Sequence, residues 1–118
     1  MAAKDQLGRR GEEAAAAFLT DQGWAILGRN WRCAAGEIDI VAVEGGDLVV
    51  VEVKTRTSEL FGHPLEAVDA RKRARLWRLA MAWCAAHPAD AHARRVRVDV
   101  VSLLGTGPFS IEHLRDVR

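Results

Sequence analysis

Residues 49–54, Val49-Val50-Val51-Glu52-Val53-Lys54, set a carboxylate and an ammonium at alternate positions of an otherwise apolar run. Valine-rich runs of this kind form strands, and a charged side chain tolerates burial only when it is paired or ligated. The two-residue period of a strand puts Glu52 and Lys54 on one face. A second acid, Asp39, lies in another strand-like run, "GEIDIVAVE", joined to the first by the hairpin turn Gly45-Gly46-Asp47. Antiparallel pairing centred on Gly45-Gly46 sets Asp39 directly opposite Glu52, and side chains so paired are about 4.5–5.5 Å apart at Cβ. Two carboxylates at that distance repel unless a cation lies between them. Mg²⁺ suits such a place, because it takes hard oxygen ligands and keeps several of its waters. Lys54, one pleat further on, is placed to orient a water or to stabilise charge developing on a phosphate. A lone E-x-K is also an ordinary feature of a solvated sheet face. The apolar flanks, and Asp39 in register, are what favour a site.

The elements that must hold these groups can be read along the chain. "KDQLGRRGEEAAAAFLTDQ" (residues 4–22) predicts a helix with Leu7, Ala14, Ala15, Phe18 and Leu19 on a broad apolar face, stopped at Gly23. "WAILGRNW" predicts a strand. "GEIDIVAVE" predicts a second, with Ile38, Ile40 and Ala42 on one face and Glu37, Asp39, Val41 and Val43 on the other. "LVVVEVKTR" is the third. A loop, "TSELFGHP", leads to a long helix starting at Leu65 or Asp69 and ending at Ala86, striped by Leu76, Leu79, Ala80 and Trp83, with Pro88 past its end. "RRVRVDVVSL" and "FSIEHL" are two further strands, separated by a turn at Gly105–Pro108. The order α-β-β-β-α-β-β predicts an α/β or α+β domain, helices covering a central mixed sheet.

The bulk properties set limits on function. A chain of 118 residues suits one domain spanning 1–118 and buries a core without disulfides. Cys33 and Cys84 have no metal-type spacing and read as free thiols of a reducing cytoplasm. The start, "MAAKDQLGRRGEE", lacks the apolar core of a secretory signal, and no run reaches the length of a membrane span. Seventeen Lys and Arg against 16 Asp and Glu leave a net charge of +1. The cations nevertheless cluster, at Arg9-Arg10, at Arg71-Lys72-Arg73 with Arg75 and Arg78, and at Arg94-Arg95 with Arg97. Distribution matters more than the sum for nucleic-acid binding. His63, His87, His92 and His113 show no ligand spacing, so a zinc site is not expected. Trp24, Trp31, Trp77 and Trp83 read as packing residues.

The segments "GRRGEEAA", "RNWRCAAGEIDIVA", "LVVVEVKTR" and "FGHPLEAVDARKRARL" together resemble the YraN-like family of bacterial proteins, in the same order over residues 8–102. That family is similar to the PD-(D/E)xK nuclease superfamily near the Holliday-junction resolvases. The resemblance implies a restriction-endonuclease-like αβββαβ core and Mg²⁺- or Mn²⁺-dependent hydrolysis of DNA phosphodiesters, with branched or junction DNA as one substrate class. It implies that Asp39 and Glu52 bind the metal, with the Val53 carbonyl as a further ligand, and that Lys54 completes the E-x-K. It also implies that Glu12, in Gly8-x-x-Gly11-Glu12, is the acid the first helix supplies. Ile38 stands before Asp39 where the superfamily pattern has proline, and the long helix lacks the glutamine motif of some resolvase relatives. Lys72 occupies the position of the family's basic helix residue. By analogy with resolvases, a homodimer matches the two-fold symmetry of a junction.

Arg71, Lys72, Arg73, Arg75 and Arg78 would meet a phosphate backbone or else form the solvated face of an amphipathic helix. Thr55 and Arg56 follow the E-x-K toward the scissile strand, and Arg32 approaches it from the other side. Two further classes of function fit the same residues: a non-catalytic nucleic-acid-binding module, and a protein-interaction subunit of a larger complex, to which the small net charge is best suited.

Overall fold

In the computed structural model of the chain, which describes residues 3–58 and 68–118, helix α1 (Ala3–Asp21) precedes strands β1 (Ala25–Cys33), β2 (Gly36–Glu44) and β3 (Asp47–Arg56). Helix α2 (Ala70–Ala86) and a single turn α3 (Pro88–Ala91) lead to β4 (Arg95–Leu104) and β5 (Ser110–Leu114). The expected element order is present, with Pro88 opening a short helix rather than only ending one. Most of the "TSELFGHP" loop, the alternative helix start at Leu65 and His63 fall in residues 59–67, outside the described residues.

The strands form one five-stranded mixed sheet in the order β1-β2-β3-β4-β5. All neighbours are antiparallel except β3 and β4, which run parallel over their full lengths. A parallel pair needs a crossover, and α2 supplies it. This is the mixed α/β architecture of an αβββαβ core. No helix among the described residues is long and apolar enough to cross a membrane.

Each face of the sheet carries its own core. Ala15 and Leu19 of α1 close over Ile40, Ala42, Val49, Val51, Val101 and Leu103. Leu76, Leu79, Ala80 and Trp83 of α2 close over Ile38, Val41, Leu48, Val50 and Val98 on the other side. Covered on both faces, β3 and β4 need apolar residues at nearly every position, which is why the valines run without alternation. Helix α1 stops where Gly23 takes φ 91° and its N–H bonds the Thr20 carbonyl at 2.9 Å, while the Trp24 N–H reaches back to Leu19 at 3.1 Å. This is a Schellman closure.

β4 departs from the clean alternation of its sequence, because it is buried from Arg97 to Leu103. Arg97 does not join a basic surface cluster. It is 6% exposed and donates to both oxygens of the fully buried Asp99 at 2.9 and 3.0 Å, to Asp47 at 2.9 Å and to Glu44 at 2.8 Å. His113 Nε2 and the Asp116 N–H complete the Asp99 shell at 2.7 and 2.9 Å. Burial opposes both charges, but these hydrogen bonds outweigh it, holding Arg97 above its ordinary range and Asp99 below.

The α1 glycines differ in kind. A Cβ on Gly11 would lie 1.9 Å from Thr55 Oγ1, whereas one on Gly8 would meet nothing within 4 Å. Gly11→Ala is therefore expected to cost about 1–3 kcal/mol through steric conflict, and Gly8→Ala to gain about 0.5–1 kcal/mol of helix propensity. Urea titration of both variants checks the opposite signs. Asp99→Asn should cost about 3–5 kcal/mol at pH 7 by leaving Arg97 without its buried partner. Because Asp99 is held below its ordinary 3.8, its contribution is full above that value and is lost as pH falls through the folded pKa. The gap between wild type and Asp99→Asn should therefore narrow in acid, as thermal melts at pH 7 and pH 3 would read.

Candidate functional site

The hairpin register runs as its turn dictates, from Glu44↔Asp47 to Ile40↔Val51, and then the ladder stops. Continued by one step it would put Asp39 opposite Glu52, and by two it would bond the Val53 N–H to the backbone of Ile38. Instead, Asp39 Oδ2 accepts the Val53 N–H at 2.8 Å. A side-chain carboxylate has replaced the backbone acceptor, and β2 and β3 part at this point.

Asn30 of β1 explains how β2 is turned here. It adopts φ 53°, a left-handed conformation that asparagine tolerates better than most residues. Alternation breaks around it. Arg29 and Asn30 both reach α1, through Glu13 at 2.9 Å and Glu12 at 3.2 Å. Trp31 packs on the opposite face, edge-on to His87. Arg29 pairs with Ile40 and Trp31 with Ile38, so Asp39 lies across from Asn30 in the same kink. Ile40 accordingly belongs to the α1 core and Ile38 to the α2 core, which corrects the expectation that Ile38, Ile40 and Ala42 share a face.

The kink gathers acids. Burial pushes the Asp39 carboxyl up to about 7, helped by the charge of Glu52, a hydrogen bond to Glu52 and the charge of Glu12, and opposed by the Val53 N–H. Burial and the neighbouring Glu37 also raise Glu12, against the pull of Arg29. The Asn30 amide donates to Glu12 at 3.2 Å and to Glu37 at 3.3 Å, tying them together. Beside them runs a groove of about 800 Å³, lined by Arg9, Glu12, Glu13, Arg29, Asn30 and Glu37 among others.

On the α2 side, Lys72 Nζ lies 3.4 Å from Glu52 Oε2. Asp69 caps the helix by accepting the Lys72 N–H at 2.9 Å. Arg71, Lys72, Arg75 and Arg78 line a second cleft of about 340 Å³ with Asp69. The remaining expected residues are scattered. Lys54 sits half-buried on β3, beside Ser102 of β4. Arg32 is 81% exposed and paired with Glu37 at 3.0 Å. The Arg56 carbonyl accepts the Gly105 N–H at 2.8 Å, and its buried Nε has no partner among the described residues. Thr55 lies beneath Gly11 of α1 rather than toward a substrate strand.

The donor chemistry fits a hard divalent cation. Asp39 and Glu52 are adjacent carboxylates whose proximity disfavours double ionisation, and a dication between them removes that conflict. In an extended strand the N–H and C=O of one residue point to the same edge, so the Val53 carbonyl faces the side on which Asp39 takes its N–H. Among the described residues no cluster of three or more His, Cys, Asp or Glu stands in ligating arrangement, so waters would complete the shell. The sequence did not reveal that Asn30 sets the kink or that Lys72 rather than Lys54 pairs with Glu52. The first had a signal, an asparagine inside a strand pattern. The second joins residues brought together only by the crossover.

A raised carboxyl pKa has a definite consequence for stability. Asp39's contribution is full below its ordinary 3.8 and is lost as pH rises through about 7. Asp39→Asn keeps an acceptor for Val53 and removes the charge. In a chelator it should melt several degrees above wild type at pH 8, with the difference closing toward pH 4. Equal melting at pH 8 would refute the buried-acid reading.

Comparison with known proteins places the chain. It matches the Uncharacterised protein family UPF0102 over residues 11–103. It is 58% identical to a UPF0102 protein of Arthrobacter sp. (strain FB24) over 99% of both chains. It is 57% identical to one of Paenarthrobacter aurescens over 99% of this chain and 97% of that one. A third, from Beutenbergia cavernae, is 55% identical over 99% of each. With most of its length matched and relatives this similar from end to end, the chain is a member of the UPF0102 family.

Proposed function

We propose that this protein is a cytoplasmic, metal-dependent endonuclease that hydrolyses DNA phosphodiesters, with branched DNA as a candidate substrate. The observation that carries the reading is the meeting of Asp39 and Glu52 at a kinked strand end, with Glu12 on one side and a cationic cleft on the other. Asp39 and Glu52 would hold Mg²⁺ or Mn²⁺ with the Val53 carbonyl, and the ion, when bound, would polarise the phosphodiester and acidify an attacking water. Lys54 would steady charge on the phosphate. Glu12, fixed through Asn30, would orient a water at the edge of the site. Arg71 and Arg75 would contact the backbone of the strand, an affinity that carries no sequence information. Arg32 and Arg56 would add contacts on either side. A homodimer would match the symmetry of a four-way junction.

A second reading is a nucleic-acid-binding module without catalysis. It is favoured by the ion pair that already neutralises Glu52 through Lys72 and by the absence of a three-donor cluster among the described residues.

The test is cleavage of labelled linear, flapped and four-way-junction DNA with Mg²⁺ or Mn²⁺, wild type beside Glu52→Ala. We expect metal-dependent cleavage that falls at least about 100-fold in the variant, the scale on which losing a group that stabilises developing charge acts. Junction binding by both proteins without cleavage by either would select the binding module.

A further inference from the structure

The first turns of α2 carry Arg71, Lys72, Arg73 and Arg75, and the first turn has no acid. Cations at a helix N-terminus oppose the macrodipole, so an anion must relieve them. For Lys72 that anion is Glu52, 3.4 Å away across the boundary between helix and sheet, with side chains 23% and 18% exposed. Arg71, Arg75 and Arg78 line the same cleft, in which Asp69 is the one acid among the described residues, and Asp69 is engaged as the cap. Lys72 is therefore the residue shared by the carboxylate pair and the cationic cleft.

We propose that Lys72 is an exchangeable counterion that couples divalent-cation binding to polyanion binding. This rests on Asp39 and Glu52 being a metal site. In the unliganded chain the Lys72 ammonium neutralises Glu52. A dication at the pair supplies that charge in its place and repels the ammonium, which turns to a phosphodiester in the α2 cleft. The same linkage works in reverse: a strand that engages Lys72 uncovers Glu52, so each ligand strengthens the other by one factor. Lys54, the lysine of the E-x-K, does not perform this role, since Glu52 is paired with Lys72.

The test is calorimetric titration of Mn²⁺ into wild type, Lys72→Gln and Lys72→Arg, with and without a short DNA duplex. The cap uses only the backbone of Lys72, and a thermal melt confirms that each variant is folded. Removing one competing charge of a partly screened pair should tighten Mn²⁺ binding by Lys72→Gln roughly three- to tenfold without DNA. Lys72→Arg should bind as wild type does. Duplex should tighten Mn²⁺ binding to wild type and leave Lys72→Gln unchanged. Equal or weaker Mn²⁺ binding by Lys72→Gln, or an equal gain from duplex in both proteins, overturns the coupling while leaving the metal site standing. No Mn²⁺ binding by wild type or Lys72→Gln overturns the metal site and the coupling together.

Discussion

The hydrogen bond from the Val53 N–H to the Asp39 carboxylate governs the arrangement around it. A buried backbone donor must find an acceptor, and a strand that continued in register would offer the Ile38 backbone. Because a side chain takes that role, β2 is free to rotate away, Ile38 crosses to the other core, and a gap opens at the end of a fully covered strand. The bond fixes the position of the acid, while burial beside Glu52 makes it reluctant to ionise against the pull of that same N–H. Gly11 contributes from above: its missing side chain lets α1 settle onto Thr55, which brings Glu12 down to the same gap. The E-x-K is thus the visible part of an arrangement whose geometry is set by the Asp39 carboxylate, Gly11 and the left-handed Asn30.

What could be read from the chain was whatever local period and turn chemistry express. The valine run marked β3 as buried, Gly45-Gly46 set the hairpin register, and Gly23 ended the first helix. The register set by the turn pointed Asp39 toward Glu52, although the ladder itself stops one pair short of them. What stayed hidden depends on contacts between segments far apart in the chain. Nothing in "RVRVDVV" distinguishes a half-solvated strand from one buried on both faces. Arg97 therefore looked like part of a basic surface until Glu44, Asp47 and Asp99 were seen to enclose it. Glu52 and Lys72 meet only because the crossover helix lies over β3. The kink at Asn30 defeats the period-two rule itself, which is why the faces of β2 were misassigned.

The two ends of the central strands treat charge in opposite ways. Around Arg97 and Asp99, the guanidinium and the carboxylate are held by hydrogen bonds from several segments, and the guanidinium lies over the Trp24 ring, 5.4 Å from its centroid. That end joins the β2–β3 turn, β4 and the C-terminal segment into one unit. Around Asp39 and Glu52, carboxylates crowd together, burial raises the Asp39 pKa, and Lys72 stands 3.4 Å from Glu52. Full satisfaction gives rigidity, and conflict left standing is the usual mark of a site kept for a ligand. The stable end supplies the anchoring that lets the strained end persist.

The kink in β1 also bears on how copies of this chain can meet. β1 is an edge of the sheet, and a long flat edge invites pairing with the same strand of a neighbour. This edge is irregular twice, by a register shift between Ile26 and Gly28 and by the left-handed turn at Asn30. A broken row of donors and acceptors makes a poor template for strand addition. The device that orients the acids thus doubles as a guard against fibre-like growth through β1. Strand addition at this edge is thereby disfavoured, and β5 forms the other edge of the sheet.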